Sequence, residues 1–156
     1  MDLPEAQFTD SARQALARAR DEADRLRHPY IGTEHLVLAL TTEAEGGAVT
    51  LLRNLQVDLT GIRRMIEATV HPGTAPAAGG VSLPYTTRTQ RILELARASA
   101  QALGDSQAGA EHLLVGALRE ATGIGGQVLL HHGLSEDAVI EQIRRIRSGG
   151  GASETG

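Results

Sequence analysis

The sequence predicts an all-α fold, built as two pseudo-symmetric four-helix repeats with about eight helices in total, and three observations carry that prediction. Aromatic residues make up only 2% of the chain and tryptophan is missing, so the 41% hydrophobic content has to build its core from Leu, Ile, Val and Ala. Ala and Leu are strong helix formers, which favours helices over sheet. Apolar residues also recur at three- and four-residue spacing behind capping residues. Finally, the chain repeats itself. A shift of 77 residues carries Phe8-Thr9 onto Tyr85-Thr86, Leu16 onto Leu93, Ala23 onto Ala100, Gly32, Glu34 and His35 onto Gly109, Glu111 and His112, and Ile66 onto Ile143.

Repeat one spans 8–70. Its first helix starts behind Thr9, carries Ala12, Ala15, Leu16, Ala19, Ala23 and Leu26 on one face, and stops before Pro29. Thr33 reads as the cap of a second helix reaching about Leu40. Gly46-Gly47 breaks the chain before a third helix with Val49, Leu51, Leu52 and Leu55, and Asp58 to Thr60 opens a fourth, striped by Ile62, Met65, Ile66 and Val70. The segment HPGTAPAAGGVSLP, 71–84, has no apolar period and reads as an exposed linker. Repeat two, 85–147, follows the same plan, with helices expected over 86–103, 110–120, 126–132 and 135–146. Ser135 caps the last of these, and Ala138, Val139, Ile143 and Ile146 are expected to face inward. Residues 1–147 thus form one module, and SGGGASETG, 148–156, reads as a flexible tail.

Composition excludes several functions. Net charge is −4 with basic residues scattered among acidic ones, so there is no electrostatic footprint for nucleic acid. Scarce aromatics also remove the stacking platforms of a single-strand binder. With no cysteine, thiolate metal sites, disulfides and cysteine nucleophiles are impossible. No apolar run approaches a membrane span, and MDLPEAQFTD shows no signal pattern, so a cytoplasmic protein without membrane contact is expected.

The repeated Glu-His pair is the first candidate for chemistry. Adjacent helical residues point about 100° apart, so Glu34 and His35 are not expected to share a metal. The positions four beyond His35 and His112 are Ala39 and Gly116, and His28, His71, His131 and His132 complete no ligand set in sequence. No metal and no cofactor are expected. There is no Gly-x-Ser-x-Gly elbow and no P-loop, and GIGGQ at 123–127 lacks the lysine, so no catalytic residue is assigned. Structural roles account for most of these residues: Glu34 and Glu111 as first-turn acids, His35 and His112 as hydrogen-bonded helix starts, Thr9 and Thr86 as caps. Each half still presents a helix N-terminus with a hydroxyl cap, suited to an anion. If Glu34 or Glu111 lies nearby, an anion receptor and a carboxylate would sit side by side and fit a phosphate joined to a cation.

The stretches FTDSARQALARARDEADRLRHPYIGTEHLVLAL and YTTRTQRILELARASAQALGDSQAGAEHLLVGAL resemble the two repeats of the N-terminal domain of Clp-family AAA+ unfoldases, most nearly of the ClpC type. The shared signature is Phe/Tyr-Thr, an Ala/Leu helix, Gly-x-Glu-His-Leu, an acidic-glycine turn and a final Leu-rich helix pair, over residues 8 to about 147. The resemblance implies a non-enzymatic module that docks adaptors and captures unfolded or marked clients for an ATP-driven unfoldase and its protease. In ClpC-type relatives it also implies binding of phosphorylated arginine. The family's guanidinium-holding glutamates correspond to Glu34 and Glu111, and the threonines at the phosphate-binding helix starts to Thr9 and Thr86. Phe8 and Tyr85 stand for a peptide or adaptor surface. Implied partners are a Clp unfoldase or its adaptors, arginine-phosphorylated or unfolded clients, and cyclic peptide antibiotics aimed at this domain.

The chain also departs from the family pattern. Repeat two has Ala110 where repeat one keeps Thr33, Asp105 is expected near a phosphate position, and TTEAEGG lacks the arginine that REATG retains as Arg119. The first site, with Thr9 and Glu34 acting together, is therefore expected to be the better one. The family's ATPase modules lie outside these 156 residues, and the expectation is a separate protein related to the domain. The alternative roles are a decoy that binds the unfoldase's ligands and an enzyme with an unrecognised site.

Overall fold

A computed structural model describes residues 5–42, 47–79 and 82–155. Among them a single 3₁₀ turn, Glu5–Gln7, precedes eight α-helices: α1 (Asp10–Arg25), α2 (Thr33–Thr42), α3 (Gly47–Asn54), α4 (Leu59–Thr69), α5 (Thr87–Ala102), α6 (Ala110–Glu120), α7 (Ile124–His131) and α8 (Glu136–Thr155). The described residues contain no strand, so the all-α fold of two four-helix repeats stands. The expected caps act as such: the hydroxyls of Thr9, Thr86 and Ser135 accept from the N–H groups of Ala12, Thr89 and Ala138 at 3.2, 3.1 and 3.1 Å.

Three boundaries differ from the sequence reading. Gly32, not Thr33, is the cap of α2, because its carbonyl accepts from Leu36 N–H at 3.2 Å. The Thr33 hydroxyl is used elsewhere, accepting from Gly125 N–H at 3.0 Å in the other repeat. α7 starts at Ile124 rather than Gly126, and α8 extends beyond Ile146 to Thr155, through residues read as tail. Ile146, expected to face inward, is 38% exposed, since the buried stripe of α8 ends at Val139 and Ile143. Gly46, read as a helix break, lies outside the described residues.

Two central helices explain the packing. Every residue of α2 from Thr33 to Thr41 is buried, as are Leu113 to Leu118 of α6. Three leucines of α2 (Leu36, Leu38, Leu40) are almost wholly removed from water, each worth about 1.5–3 kcal/mol. A helix apolar all round needs cover all round. α1 covers α2, and α5 covers α6; α3 and α4 on α2 and α7 and α8 on α6 add cover within each repeat, and the rest comes across the repeats, where α7 packs on α2 and α3 on α6. No single helix among the described residues is long and apolar enough to cross a membrane.

The segments preceding α1 and α5 are exchanged in the same way. Phe8 forms an isolated parallel bridge with Ala108, and Tyr85 forms its counterpart with Ile31. Thr9 N–H donates to Ala108 O at 2.9 Å and Thr86 N–H to Ile31 O at 3.0 Å. The segment after α4 is exposed but anchored along the end of α1: Gly73 N–H reaches Leu26 O at 2.7 Å and Ala78 N–H reaches Asp24 Oδ1 at 2.6 Å.

The close approach of α5 to α6 depends on Gly116. A Cβ there would lie 2.6 Å from the Ile92 carbonyl oxygen and 3.2 Å from Ala96 N, both backbone atoms of α5. Gly116→Ala is therefore expected to force α5 from α6 and to cost about 1–3 kcal/mol, the range of core overpacking. A lowered urea midpoint at unchanged m-value would show it, and wild-type stability in the variant would contradict the close approach.

Candidate functional site: a buried carboxylate facing a helix start

The repeated Gly-x-Glu-His motif has one geometry in both halves. The N–H of Gly32 donates to His35 Nδ1 at 2.8 Å, and the N–H of Gly109 to His112 Nδ1 at 2.8 Å. The histidine thus reaches back to the capping residue as Glu or Gln does in a capping box. The intervening glutamate folds over the glycine: a Cβ on Gly32 would overlap the Glu34 carboxylate, and one on Gly109 that of Glu111. Glycine is needed here for space.

Glu34 is only 8% exposed, and no side chain or backbone group of the described residues bonds or ion-pairs with its carboxylate. A buried carboxylate without a partner is costly, by several kcal/mol if ionised. It borders a cavity of about 580 Å³ shared with Tyr30, Gly32, Thr33, Thr86, Thr87, Arg88, Gly123 and Ile124. Across that cavity stands the start of α5, where Thr86 caps only Thr89 N–H, leaving the Thr87 and Arg88 N–H groups without helical partners. Arg88, exposed and unpaired among the described residues, adds a cation in the first turn, where a helix by itself prefers an acid. Carboxylate at one side and an electropositive helix start at the other make the cavity bipolar.

The pairing differs from the sequence reading. Glu34 meets Thr86 and not Thr9, because the exchange places each repeat's Phe/Tyr-Thr segment on the other repeat. Thr9 stands at the start of α1 beside α6, where the Ser11 hydroxyl accepts from Ala110 N–H at 3.5 Å. Phe8 is fully buried in the core and cannot offer a surface, whereas Tyr85 is half-buried against it, its phenol pKa raised by burial.

Glu111 is less confined and borders a smaller cavity, about 210 Å³, formed with Gly47, Leu51, Ile143, Ile146 and Arg147. A cation of the chain is already there. Arg147 is held by Asp105 Oδ2 at 2.6 Å, and the same oxygen takes His112 Nε2–H at 2.9 Å. Asp105 is therefore committed to His112 and Arg147. Arg119 is likewise committed, to Glu136 Oε2 at 3.1 Å through Nε, which raises the arginine pKa and lowers that of the glutamate.

Repeat one replaces Asp105 with His28. His35 Nδ1 accepts from Gly32 N–H, so Nε2 carries the proton and donates to His28 Nδ1 at 2.7 Å; His28 Nε2–H then donates to the His71 carbonyl at 2.7 Å. Ligand atoms of His28, Glu34 and His35 all lie within 4.8 Å of one another, a grouping that sequence spacing did not reveal because it joins the end of one helix to the start of the next. These three are the residues that could hold a divalent ion. The tautomer opposes it: metal on His35 Nε2 would displace that proton and set Nδ1–H against Gly32 N–H.

The duplicated helices, the exchanged segments and the paired Gly-x-Glu-His starts define a domain of the Clp N-terminal type. A family model, the Clp repeat (R) N-terminal domain, matches residues 7–132, and the chain belongs to that family. It is 36% identical over 139 residues to the chaperone protein ClpB of Oceanobacillus iheyensis, and 36% identical over 149 residues to the Bacillus subtilis protein named negative regulator of genetic competence ClpC/MecB. These matches cover 89% and 96% of this chain but only 17% and 18% of the relatives' lengths. Among solved structures, the N-domain of ClpV from Vibrio cholerae matches with a TM-score of 0.78 at 16% identity, covering 95% of this chain and 90% of that one. A complex of a ClpV N-domain with a VipB peptide gives 0.76 at 16% identity, over 95% and 92%. The N-terminal domain of ClpD from Arabidopsis thaliana gives 0.67 at 20% identity, over 94% and 98%. At these identities the structural likeness establishes the fold.

The buried histidine pair makes stability depend on pH. Burial, then the neighbouring His28 and Arg25 charges, lower the His35 pKa from 6.5 to about 4. Between those values the unfolded chain binds the proton and the folded chain does not, so this contribution is complete above about pH 6.5 and is lost as pH falls towards 4. The loss attributable to His35 is expected to reach about 3 kcal/mol. Urea unfolding across pH 4 to 7 should show a steeper fall for wild type than for His35→Gln; equal slopes would refute the assignment.

Proposed function

We propose that this chain is a non-catalytic binding module of Clp-dependent proteolysis, and that its cavity between Glu34 and the start of α5 holds a phosphorylated arginine side chain of a marked client. The observation that carries the reading is the buried, unpartnered Glu34 carboxylate facing the unsatisfied N–H groups of Thr87 and Arg88. A guanidinium offers parallel N–H donors to a carboxylate, and a helix start with an added arginine favours a phosphate. A phosphorylated guanidinium supplies both within one side chain. An ordinary arginine would leave the α5 end unused, and a phosphoserine would leave Glu34 unpaired and repelled.

Residues around the second glutamate support the same choice by contrast. α1 begins with Asp10, which already complements its helix dipole and is ion-paired with Arg13, whereas α5 begins with Thr87 and Arg88. Arg147 also occupies the surroundings of Glu111. The Glu34 cavity is thus the primary ligand site. The likeness to a ClpV N-domain that takes a VipB peptide supports peptide capture as the general mode.

Titration with free phosphoarginine, followed by backbone amide shifts, tests the proposal. Saturable shifts are expected at Gly32 to Glu34 and at Thr86 to Arg88, and Glu34→Gln and Arg88→Ala should each weaken binding at least tenfold. Absence of saturable shifts at millimolar ligand, or unchanged affinity in Glu34→Gln, would overturn it.

A further inference from the structure

The Glu34 cavity does not end at Ile124. Gly123 and Ile124 also line a second cavity, of about 560 Å³, that continues between α4 and α7 over Met65, Val128 and Leu130. The two cavities adjoin across Gly123 and Ile124, and an extended chain crossing both would meet a trough with chemically different ends. The Glu34 end carries the carboxylate, Arg88 and the bare helix start. The other end has no Asp, Glu, Lys or Arg in its lining, only His131 as a titratable group, and its floor is the half-buried Met65 and Ile124 with the buried Val128. Large apolar side chains exposed elsewhere on the described surface are few, yet Tyr30 at 37% and Leu130 at 41% stand at the two ends of this trough. Leu130 with the half-buried Met65 and Ile124 makes one contiguous apolar lining, the kind of surface that another molecule covers.

We infer that the trough reads a two-part feature of an unfolded client: a phosphorylated arginine in the Glu34 cavity and, on the same extended segment, an apolar side chain laid on Met65, Ile124 and Leu130. This rests on the reading of the Glu34 cavity given above and extends it from a modified residue to a sequence context. The polar end specifies the occupant, because an unpartnered carboxylate selects a cationic residue and the continuous floor then dictates what its neighbours meet. Spacing follows from the helix. Ile124 and Leu130 are separated along α7 by roughly 9 Å at about 1.5 Å per residue, which an extended chain covers in roughly three residues. A segment whose marked residue sits over Ile124 would therefore bring an apolar residue about three positions away onto Leu130. Such a trough would favour a mark lying in sequence normally buried in a folded protein, the sequence exposed when a client unfolds.

The test uses fluorescently labelled peptides and anisotropy on the whole chain, with free phosphoarginine titrated in parallel. Peptides carry phosphoarginine with leucine three residues before it, leucine three residues after it, or serine at both places; a fourth has the favoured leucine peptide with alanine for phosphoarginine. At least one leucine peptide is expected to bind about tenfold more tightly than the serine peptide, and Leu130→Ser, at an exposed position that the fold tolerates, should remove that difference. The alanine peptide should bind at least tenfold more weakly than its parent. Equal affinity of leucine and serine peptides while free phosphoarginine still binds would overturn this inference and leave the parent reading standing. Leucine-dependent binding that survives both the alanine replacement and Glu34→Gln would overturn the two-part readout, and failure of free phosphoarginine to bind would overturn the parent reading and this one together.

Discussion

The exchange of the segments before α1 and α5 is the constraint on which the rest of the structure depends. Each segment pairs with the residues just before the opposite repeat's central helix, through Thr9 to Ala108 and Thr86 to Ile31. These contacts join residues far apart in sequence, so closing them costs chain entropy. Burial of Phe8 and the cross-repeat covering of α2 by α7 and α6 by α3 offset that cost. Neither repeat buries its apolar helix completely by itself, and both cavities take residues from the two repeats. The helix start comes from one repeat and the glutamate from the other, so the site exists only in the assembled pair.

Once the scaffold is shared, differences between equivalent positions decide what each cavity can do. At the helix starts, Asp10 and Ser11 of repeat one correspond to Thr87 and Arg88 of repeat two. Beneath the glutamates, His28 corresponds to Asp105. Both exchanges push in one direction. The Glu34 cavity gains an electropositive helix start and lies over the hydrogen-bonded His35–His28 relay. The Glu111 cavity is lined from α3 and α8 without the start of α1, and is crowded by Arg147, anchored on Asp105. Thr33 and Ala110 add to the asymmetry, since the Thr33 hydroxyl fastens the start of α2 to Gly125 and an alanine cannot. A duplicated fold has diverged at a few charged and polar positions into two unlike cavities.

Much of the fold was legible because it depends on local chemistry. Thr9, Thr86 and Ser135 announce helix starts through a hydroxyl that any helix can use, and the 77-residue repeat shows that two such units exist. The site was legible only in parts. Glu34, Glu111, Thr9 and Thr86 all stand out in the sequence, but self-similarity within each half groups Thr9 with Glu34, and only the three-dimensional exchange shows that Glu34 meets Thr86. The His28–His35 bond was invisible for a related reason: its seven-residue spacing crosses from the end of α1 into α2, where no single helical period applies. Arg88 carried no signal at all, because a lone arginine on an exposed helix reads as a solvated charge until its unpaired position beside the cavity is seen. Phe8 misled in the other direction, since an aromatic shared by both repeats looks like a recognition residue, yet it fills the core completely.

The Gly-x-Glu-His motif itself separates two duties that a single residue usually combines. In an ordinary capping box the acid three residues into the helix turns back to satisfy the capping N–H, and its carboxylate is spent on that bond. Here the histidine takes that duty at 2.8 Å in both repeats, and burial keeps His35 neutral and so able to accept. The glutamate one position earlier is therefore left without intrahelical work, folded over a glycine that has no Cβ to obstruct it. That arrangement explains why a buried carboxylate can be retained without an internal partner. The histidine holds the helix start whether or not a ligand is present, so the glutamate can meet a cation from outside without loosening the helix that presents it.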